Sequence, residues 1–415
     1  MGRGQYRPDR ILVDDSPMNT QYHRPARNLG VSLIELMVAL AIGAVLVLGL
    51  VQVFGASRAA YQMSEGMARV QENARFAMDF LQRDIRMAGH FGCVNDQAHF
   101  VQDPNEPVDR TAAVDALDFR FTIQGFEAAD TAPDDSVTLG SPATGWDGAA
   151  PFGDITSLTP APVAGSDIIV LRYFNPTGTP VTEVGATPTT LTIPPIFPSG
   201  TPSPAPPDGW PSLTDDGVAS PTLFGIADCS QADVFPATGV AGGTLTTSDA
   251  IITDLQARYN PHPAGQTRLY RANSIVYYVG LSTTTGEPAL FRARADSSGA
   301  YTNEELVEGV ESLQLLYGRD ETTNISATSP PVGNITSLAT AQGVGATVAE
   351  WRRVGLVQVG MLVRSPNRAL AQKPGSDAAN PRVLGVEFEP AVANDTRYRA
   401  TYEATIAVRN RLFGN

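Results

Sequence analysis

A chain of 415 residues, 42% hydrophobic and 17% charged, is long enough for one large or two ordinary domains. That balance excludes both a disordered polymer and a polytopic membrane protein. A net charge of -14 argues against a nucleic-acid partner, which requires a basic face. Lys373 is the only lysine, which we read as compositional bias rather than function. Glycine (38) and proline (32) are both high enough to imply many turns and loops. Two cysteines, Cys93 and Cys229, form no CxxC and allow one disulfide if the chain is exported.

The first element is an apolar segment of membrane length. From Val31 to Gly55 the only charge is Glu35, and Leu36 to Val51 is unbroken apolar sequence. About 20 such residues suffice to span a bilayer. Ahead of it lie Arg3, Arg7, Arg10, Arg24 and Arg27 against Asp9, Asp14 and Asp15. This bias predicts a cytoplasmic N-terminus and an exported body. A secretory signal would end in a small-residue cleavage site, whereas here the apolar run continues into an amphipathic pattern. Met63, Met67, Val70, Ala74, Ala77, Leu81, Ile85 and Ala88 recur at helical spacing, and no proline occurs between Val31 and Asp103. The pattern predicts one helix from about Ser32 to Ala88, roughly 85 Å long, with Gly89 as its stop.

Glu35 stands out because a carboxylate near the start of a membrane helix costs roughly 2.5–3.5 kcal/mol on insertion scales, less near the interface. Taken alone it could simply snorkel to the headgroups.

Its setting points further. Gly30-Val31-Ser32-Leu33-Ile34-Glu35-Leu36-Met37-Val38-Ala39-Leu40-Ala41-Ile42-Gly43 closely resembles the class III signal of type IV prepilins. The resemblance implies cleavage between Gly30 and Val31 by prepilin peptidase and methylation of Val31. It makes Glu35 the fifth mature residue, an assembly residue paired with a neighbouring subunit's N-terminus. Such a pair specifies register better than it adds net stability. Val31 stands where the family usually has phenylalanine or methionine, and Leu29 where it has a basic or small polar residue. The leader, residues 1–30, is long for the family. Initiation at Met18, the expected start, would leave a short leader with His23, Arg24 and Arg27 and no acid.

Later segments resemble the PilW minor pilins, in order. They are Arg83-Asp84-Ile85-Arg86-Met87-Ala88-Gly89 leading to Gly92-Cys93, then Asp228-Cys229-Ser230-Gln231-Ala232-Asp233-Val234-Phe235 and Tyr277-Tyr278-Val279-Gly280. Glu305 to Gly318, Trp351 and Ala407-Val408-Arg409-Asn410-Arg411 complete the series.

Residues 90–415 are expected to form a periplasmic β-rich body. Ile168 to Tyr173 reads as a buried strand, and Ile275 to Gly280 with Ala289 to Arg294 as a hairpin. Leu313, Leu315 and Tyr317 alternate, as do Val357, Val359, Met361 and Val363. Tyr398, Ala400, Tyr402, Ala404, Ile406 and Val408 mark one face of the last strand. The fold class is therefore α+β and pilin-like. A long N-terminal helix, membrane half (about 33–54) plus amphipathic half, packs on an antiparallel sheet body with long loops. The Pro/Thr-rich stretch of about 187–221 reads as a surface loop or spacer, and Thr322 to Ala349 as a loop between strands.

In an exported body Cys93 and Cys229 are expected to pair, closing a loop of roughly 140 residues worth on the order of 4–5 kcal/mol in chain-entropy terms. Two separate buried thiols are the alternative. Of the histidines His23, His90, His99 and His262, none has metal-ligand spacing, and His90 and His99 beside Cys93 read as loop residues. Asp103, Asn105, Glu106 and Asp109 do not match an EF-hand and read as a solvated turn. No GxSxG, P-loop or GxGxxG follows a strand, so no enzyme, cofactor or metal is expected.

The resemblance thus implies a minor pilin of a priming or tip complex that initiates type IV pilus assembly. Its partners would be other minor and major pilins, prepilin peptidase, the inner-membrane assembly platform and, before assembly, inner-membrane lipid. A mature chain of about 385 residues is bulky for a shaft subunit. The alternatives are a signal-anchored binding protein or adhesin, and a minor pseudopilin of type II secretion.

Overall fold

The computed structural model describes residues 30–95, 115–147, 157–185, 190–193, 213–214, 218, 220–241, 244–247, 255–263, 265–323, 331–369, 380–389 and 396–411. The chain divides into two units, residues 1–58 and 59–415. The boundary falls inside one helix, α1, Leu33–Met87.

In the first unit α1 is apolar and solvent-facing. Its large apolar side chains from Val31 to Phe54 are between 52% and 77% exposed. Its length and composition suffice for one membrane span.

In the second unit α1 is amphipathic and half-buried. Gly66, Val70, Ala74, Ala77, Leu81, Asp84 and Ile85 form the buried stripe. Met67, expected on that stripe, is 37% exposed. Gly66 takes its place because a Cβ there would stand 2.8 Å from the Ala369 Cβ, so only a bare backbone fits. The helix ends where Gly89 turns to a φ of 74° and its N–H donates to the Arg172 carbonyl at 3.1 Å.

The stripe lies on two antiparallel sheets. The first is built from β1 (Ile123–Ala128), β2 (Ile168–Phe174), β3 (Thr190–Thr192), β4 (Leu223–Ala227), β5 (Ala232–Ala241), β6 (Arg268–Leu281), β7 (Pro288–Ala295) and β8 (Tyr301–Glu308), with short strands at its margins. β6 is its spine, pairing with β2 through Ile275↔Leu171, with β7 through Ile275↔Arg294 and with β4 through Tyr270↔Gly225. The second sheet runs in the order β10 (Ile335–Ala339), β9 (Val310–Asp320), β11 (Val354–Arg364), β12 (Arg399–Ala407). Two short helices, α2 (Ala341–Val344) and α3 (Val348–Arg352), join β10 to β11.

One core unites these layers. Val70, Ala74, Ala77, Leu81 and Ile85 of α1 pack with Leu171, Ile275 and Tyr277 of the first sheet and Leu315, Val357, Val359 and Ile406 of the second. Burying a side chain of leucine size contributes roughly 1.5–3 kcal/mol, so this stripe is what ties the helix to the body. The period-two rule is visible along β6. Ile275, Tyr277 and Val279 enter this core, while Val276 and Tyr278 enter a second one with Phe126, Val170 and Phe291 on the opposite face.

Two expected loops contain structure. Within 187–221, Thr190–Thr192 forms β3, with Leu191 and Ile193 fully buried. The local Thr-Leu-Thr-Ile alternation is β-branched and period-two, and it prevails over the surrounding prolines. Within 322–349, the described residues carry β10 and α2, and Ala341 and Val344 bury against the main core. β1, β4, β5 and β8 were not marked by the sequence pattern, because β1 and β4 are buried on both faces and show no alternation.

Candidate processing and assembly segment

The segment begins with Gly30 and Val31, both exposed and ahead of the first helical turn. Among the described residues, no heavy atom beyond its chain neighbours comes within 4 Å of a Cβ built on Gly30. Ser32 caps α1: the Glu35 N–H donates to Ser32 Oγ at 3.2 Å, and the Leu36 N–H donates to the Ser32 carbonyl at 3.1 Å. Ser32-Leu33-Ile34-Glu35 is thus a capping sequence, S-x-x-E, a signal the sequence reading passed over. A carboxylate in the first turn also complements the positive end of the helix dipole. Glu35 therefore has a local reason to sit at this position in addition to any partner in an assembly.

Further along α1, the buried face carries a carboxylate. Asp84 is 3% exposed and accepts a hydrogen bond from the Tyr277 hydroxyl at 2.6 Å. Arg292 lies 3.8 Å away, and Tyr173 also bonds to Asp84. Burial, reinforced by the Asp84 charge, pushes both phenols well above their ordinary values, so they remain donors. Arg292 also stacks over the Phe80 ring of α1 at 5.8 Å. This network aligns helix and sheet where apolar packing alone would be non-directional.

The C-terminal motif completes the helix end. Asn410 Nδ2 lies within 3.1–3.3 Å of the carbonyl oxygens of Arg86, Met87 and Ala88, acceptors that α1 itself leaves open. The buried Arg411 donates to the carbonyls of Trp351 and Val354 and to Thr122. Trp351 meets Tyr317 edge-on at 4.9 Å and donates from Nε1 to the Gly345 carbonyl at 2.9 Å.

Cys93 and Cys229 are joined, with S–S 2.07 Å and Cα–Cα 4.8 Å. Both lie at the surface. Each is set by a turn. Gly92 has φ 78°, and a Cβ there would stand 2.8 Å from the Tyr270 hydroxyl. Asp228 Oδ1 accepts from the Ser230 N–H at 2.7 Å and the Gln231 N–H at 2.9 Å, ordering the loop that carries Cys229. His90 is half-buried, and burial lowers its pKa, keeping it neutral. His99 and the acidic run Asp103, Asn105, Glu106 and Asp109 lie outside the described residues.

Residues 25–51 match the prokaryotic N-terminal methylation motif, and residues 276–410 match the family of Type IV Pilus-assembly protein W. No curated protein is similar enough in sequence to count as a match. Among solved structures, a type IV-like pilin from Thermus thermophilus aligns at 17% identity over 47% of this chain and 86% of its own, with a TM-score of 0.20. A TM-score that low carries no weight for the fold, which rests on the helix and sheets described above. The second match runs from within β6 through β12 and contains Tyr277 and Asn410, which bond to α1, as well as Trp351. The chain is thus similar to the prokaryotic methylation-motif proteins over residues 25–51 and to the PilW family over residues 276–410, matches that together take in less than half of its length.

Proposed function

We propose that this chain is a minor pilin, cut after Gly30, that joins a priming or tip complex and initiates pilus assembly. The observation that carries the reading is the continuity of α1. The apolar segment within the methylation-motif match and the buried stripe belong to one unbroken helix. In a secreted protein the two would be separated by cleavage behind the apolar core. Before assembly the exposed half of α1 lies in the inner membrane, with the N-terminus cytoplasmic and the body periplasmic. In the pilus the same apolar surface packs on the helices of other pilins. Glu35 then faces the ammonium that cleavage creates on a neighbouring Val31, each charge supplying the partner the other lacks in an apolar surrounding.

The test is the intact mass and N-terminal sequence of the membrane-extracted protein, with and without prepilin peptidase. A chain that begins at methylated Val31 only when the peptidase is present supports the reading. Retention of residues before Gly30 in both samples would leave a plain membrane anchor. A second arm uses Glu35→Ala, expected to reach the membrane but not to support piliation. Normal piliation in that variant would remove the carboxylate from the mechanism.

A further inference from the structure

The peptide bond between Gly30 and Val31 lies just outside α1. Ser32 is the cap residue: its Oγ accepts the Glu35 N–H at 3.2 Å, and its carbonyl accepts the Leu36 N–H at 3.1 Å, the first bond of the helical ladder. Helical backbone begins at Leu33, so Gly30, Val31 and Ser32 stay outside it, and all three are exposed. Glycine and the β-branched valine are poor helix formers, which suits an unwound run. The methylation-motif match covers residues 25–51, so the capped turn and the processing signal fall on the same residues.

The alternative to this start is a helix wound further back. The first N–H groups of a helix have no acceptor within it, and in an apolar surrounding an unsatisfied one is costly. Without the Ser32 hydroxyl, the acceptor nearest to the Glu35 N–H in a helix is the Val31 carbonyl, four residues back. Forming that bond winds residue 32 into the helix. The next bond of the same series joins the Ile34 N–H to the Gly30 carbonyl, which belongs to the bond to be cut. Hydrolysis adds water to the Gly30 carbonyl carbon and breaks its bond to the Val31 nitrogen, leaving a Gly30 carboxylate and a Val31 ammonium. A carbonyl held in a helical turn by Ile34 is closed to that attack.

We propose that Ser32 is a positioning residue for processing: its cap stops the helix short of the scissile bond and keeps Gly30–Val31 in the unwound form that a peptidase requires. The inference rests on the reading of Gly30 as the cleavage site, and it gives Ser32 no contact with the reacting atoms. The cap acts on the fraction of chains ready for cleavage, so its loss is felt in KM and not in kcat.

The test is cleavage of the full-length chain in detergent by prepilin peptidase, with Ser32→Ala, Ser32→Thr and Ser32→Asn beside the native protein. Ser32→Ala is expected to raise KM about fivefold at unchanged kcat, the size of a lost cap. Threonine and asparagine also cap, and both variants should be cut within about twofold of the native chain. Amide exchange gives a readout without the enzyme: the Ile34 N–H should exchange more slowly in Ser32→Ala, where it gains an acceptor. Equal KM for the native and Ser32→Ala chains, or unchanged exchange at Ile34, would overturn the inference and leave the reading of Gly30 standing. A loss confined to kcat, or an asparagine variant as impaired as the alanine one, would also overturn it, because either result assigns the hydroxyl to direct contact with the peptidase. No cleavage of the native chain by an active peptidase would remove the reading of Gly30 and this inference together.

Discussion

The Tyr277 hydroxyl donates to Asp84 Oδ2 at 2.6 Å, across a sequence separation of 193. One partner lies on the buried face of the N-terminal helix and the other on the central strand of the first sheet. The carboxylate is out of water, so its hydrogen bonds must come from the sheet, and the bond orients the helix on it.

Tyr277→Phe removes one donor and leaves Asp84 buried. The expected loss is about 1.5–3 kcal/mol, the range for hydrogen bonds to charged groups. Chemical denaturation of the detergent-solubilised chain measures it. A double-mutant cycle with Asp84→Asn should show a coupling of about 0.5–3 kcal/mol, and strict additivity would mean the two residues do not act together.

Asn410→Asp keeps the size of the side chain but replaces the Nδ2 donor group with an acceptor. The carbonyls of Arg86, Met87 and Ala88 lose their partner, and a negative charge is placed at the negative end of the helix. Backbone amide exchange from residue 84 to residue 89 should accelerate, with about 1–2 kcal/mol of stability lost. Unchanged exchange there would show that apolar packing alone secures the helix end.

Replacing both Cys93 and Cys229 with serine opens a covalent loop with a sequence separation of 136. Chain-entropy reasoning gives a loss on the order of 4–5 kcal/mol. Equilibrium denaturation of the double variant against the oxidised protein reads it directly, and a difference below about 1 kcal/mol would contradict that account.

Asp167 is expected to give the body a pH dependence of unusual sign. It is fully buried, and burial raises its pKa to about 7, although the N–H groups of Ala128 and Leu315 and the Thr131 hydroxyl pull the other way. In the unfolded chain the same carboxyl titrates near 4. The folded protein therefore holds a proton that the unfolded chain has released. The stability this contributes is complete below about pH 4 and is lost as the pH rises toward 7. Denaturation midpoints measured across that window should fall with rising pH, and Asp167→Asn should flatten the slope. A slope that survives the substitution would assign it to another group.

The sequence by itself determined the elements whose information is local. Helix α1 could be read from Ser32 to Ala88 because apolar spacing, absence of proline and Gly89 are all contiguous, and it runs from Leu33 to Met87. The prepilin signal lies in fourteen adjacent residues. The hairpin of β6 and β7 was legible because a Thr/Gly-rich turn separates two short apolar runs, and the edge strand β12 because one face alternates with the other. Only the tertiary structure decided what depends on distant partners. Asp84 reads as an ordinary polar helix residue until Tyr277 is beside it. Asn410 and Arg411 form part of a motif without a visible task until the end of α1 and the Trp351 carbonyl are brought to them. The convergence of Arg271 and Arg294 on Asn273 exists only through the register of β6 against β7. Periodicity reports which face of an element is buried, whereas the groups that meet that face are chosen by pairings made across the chain.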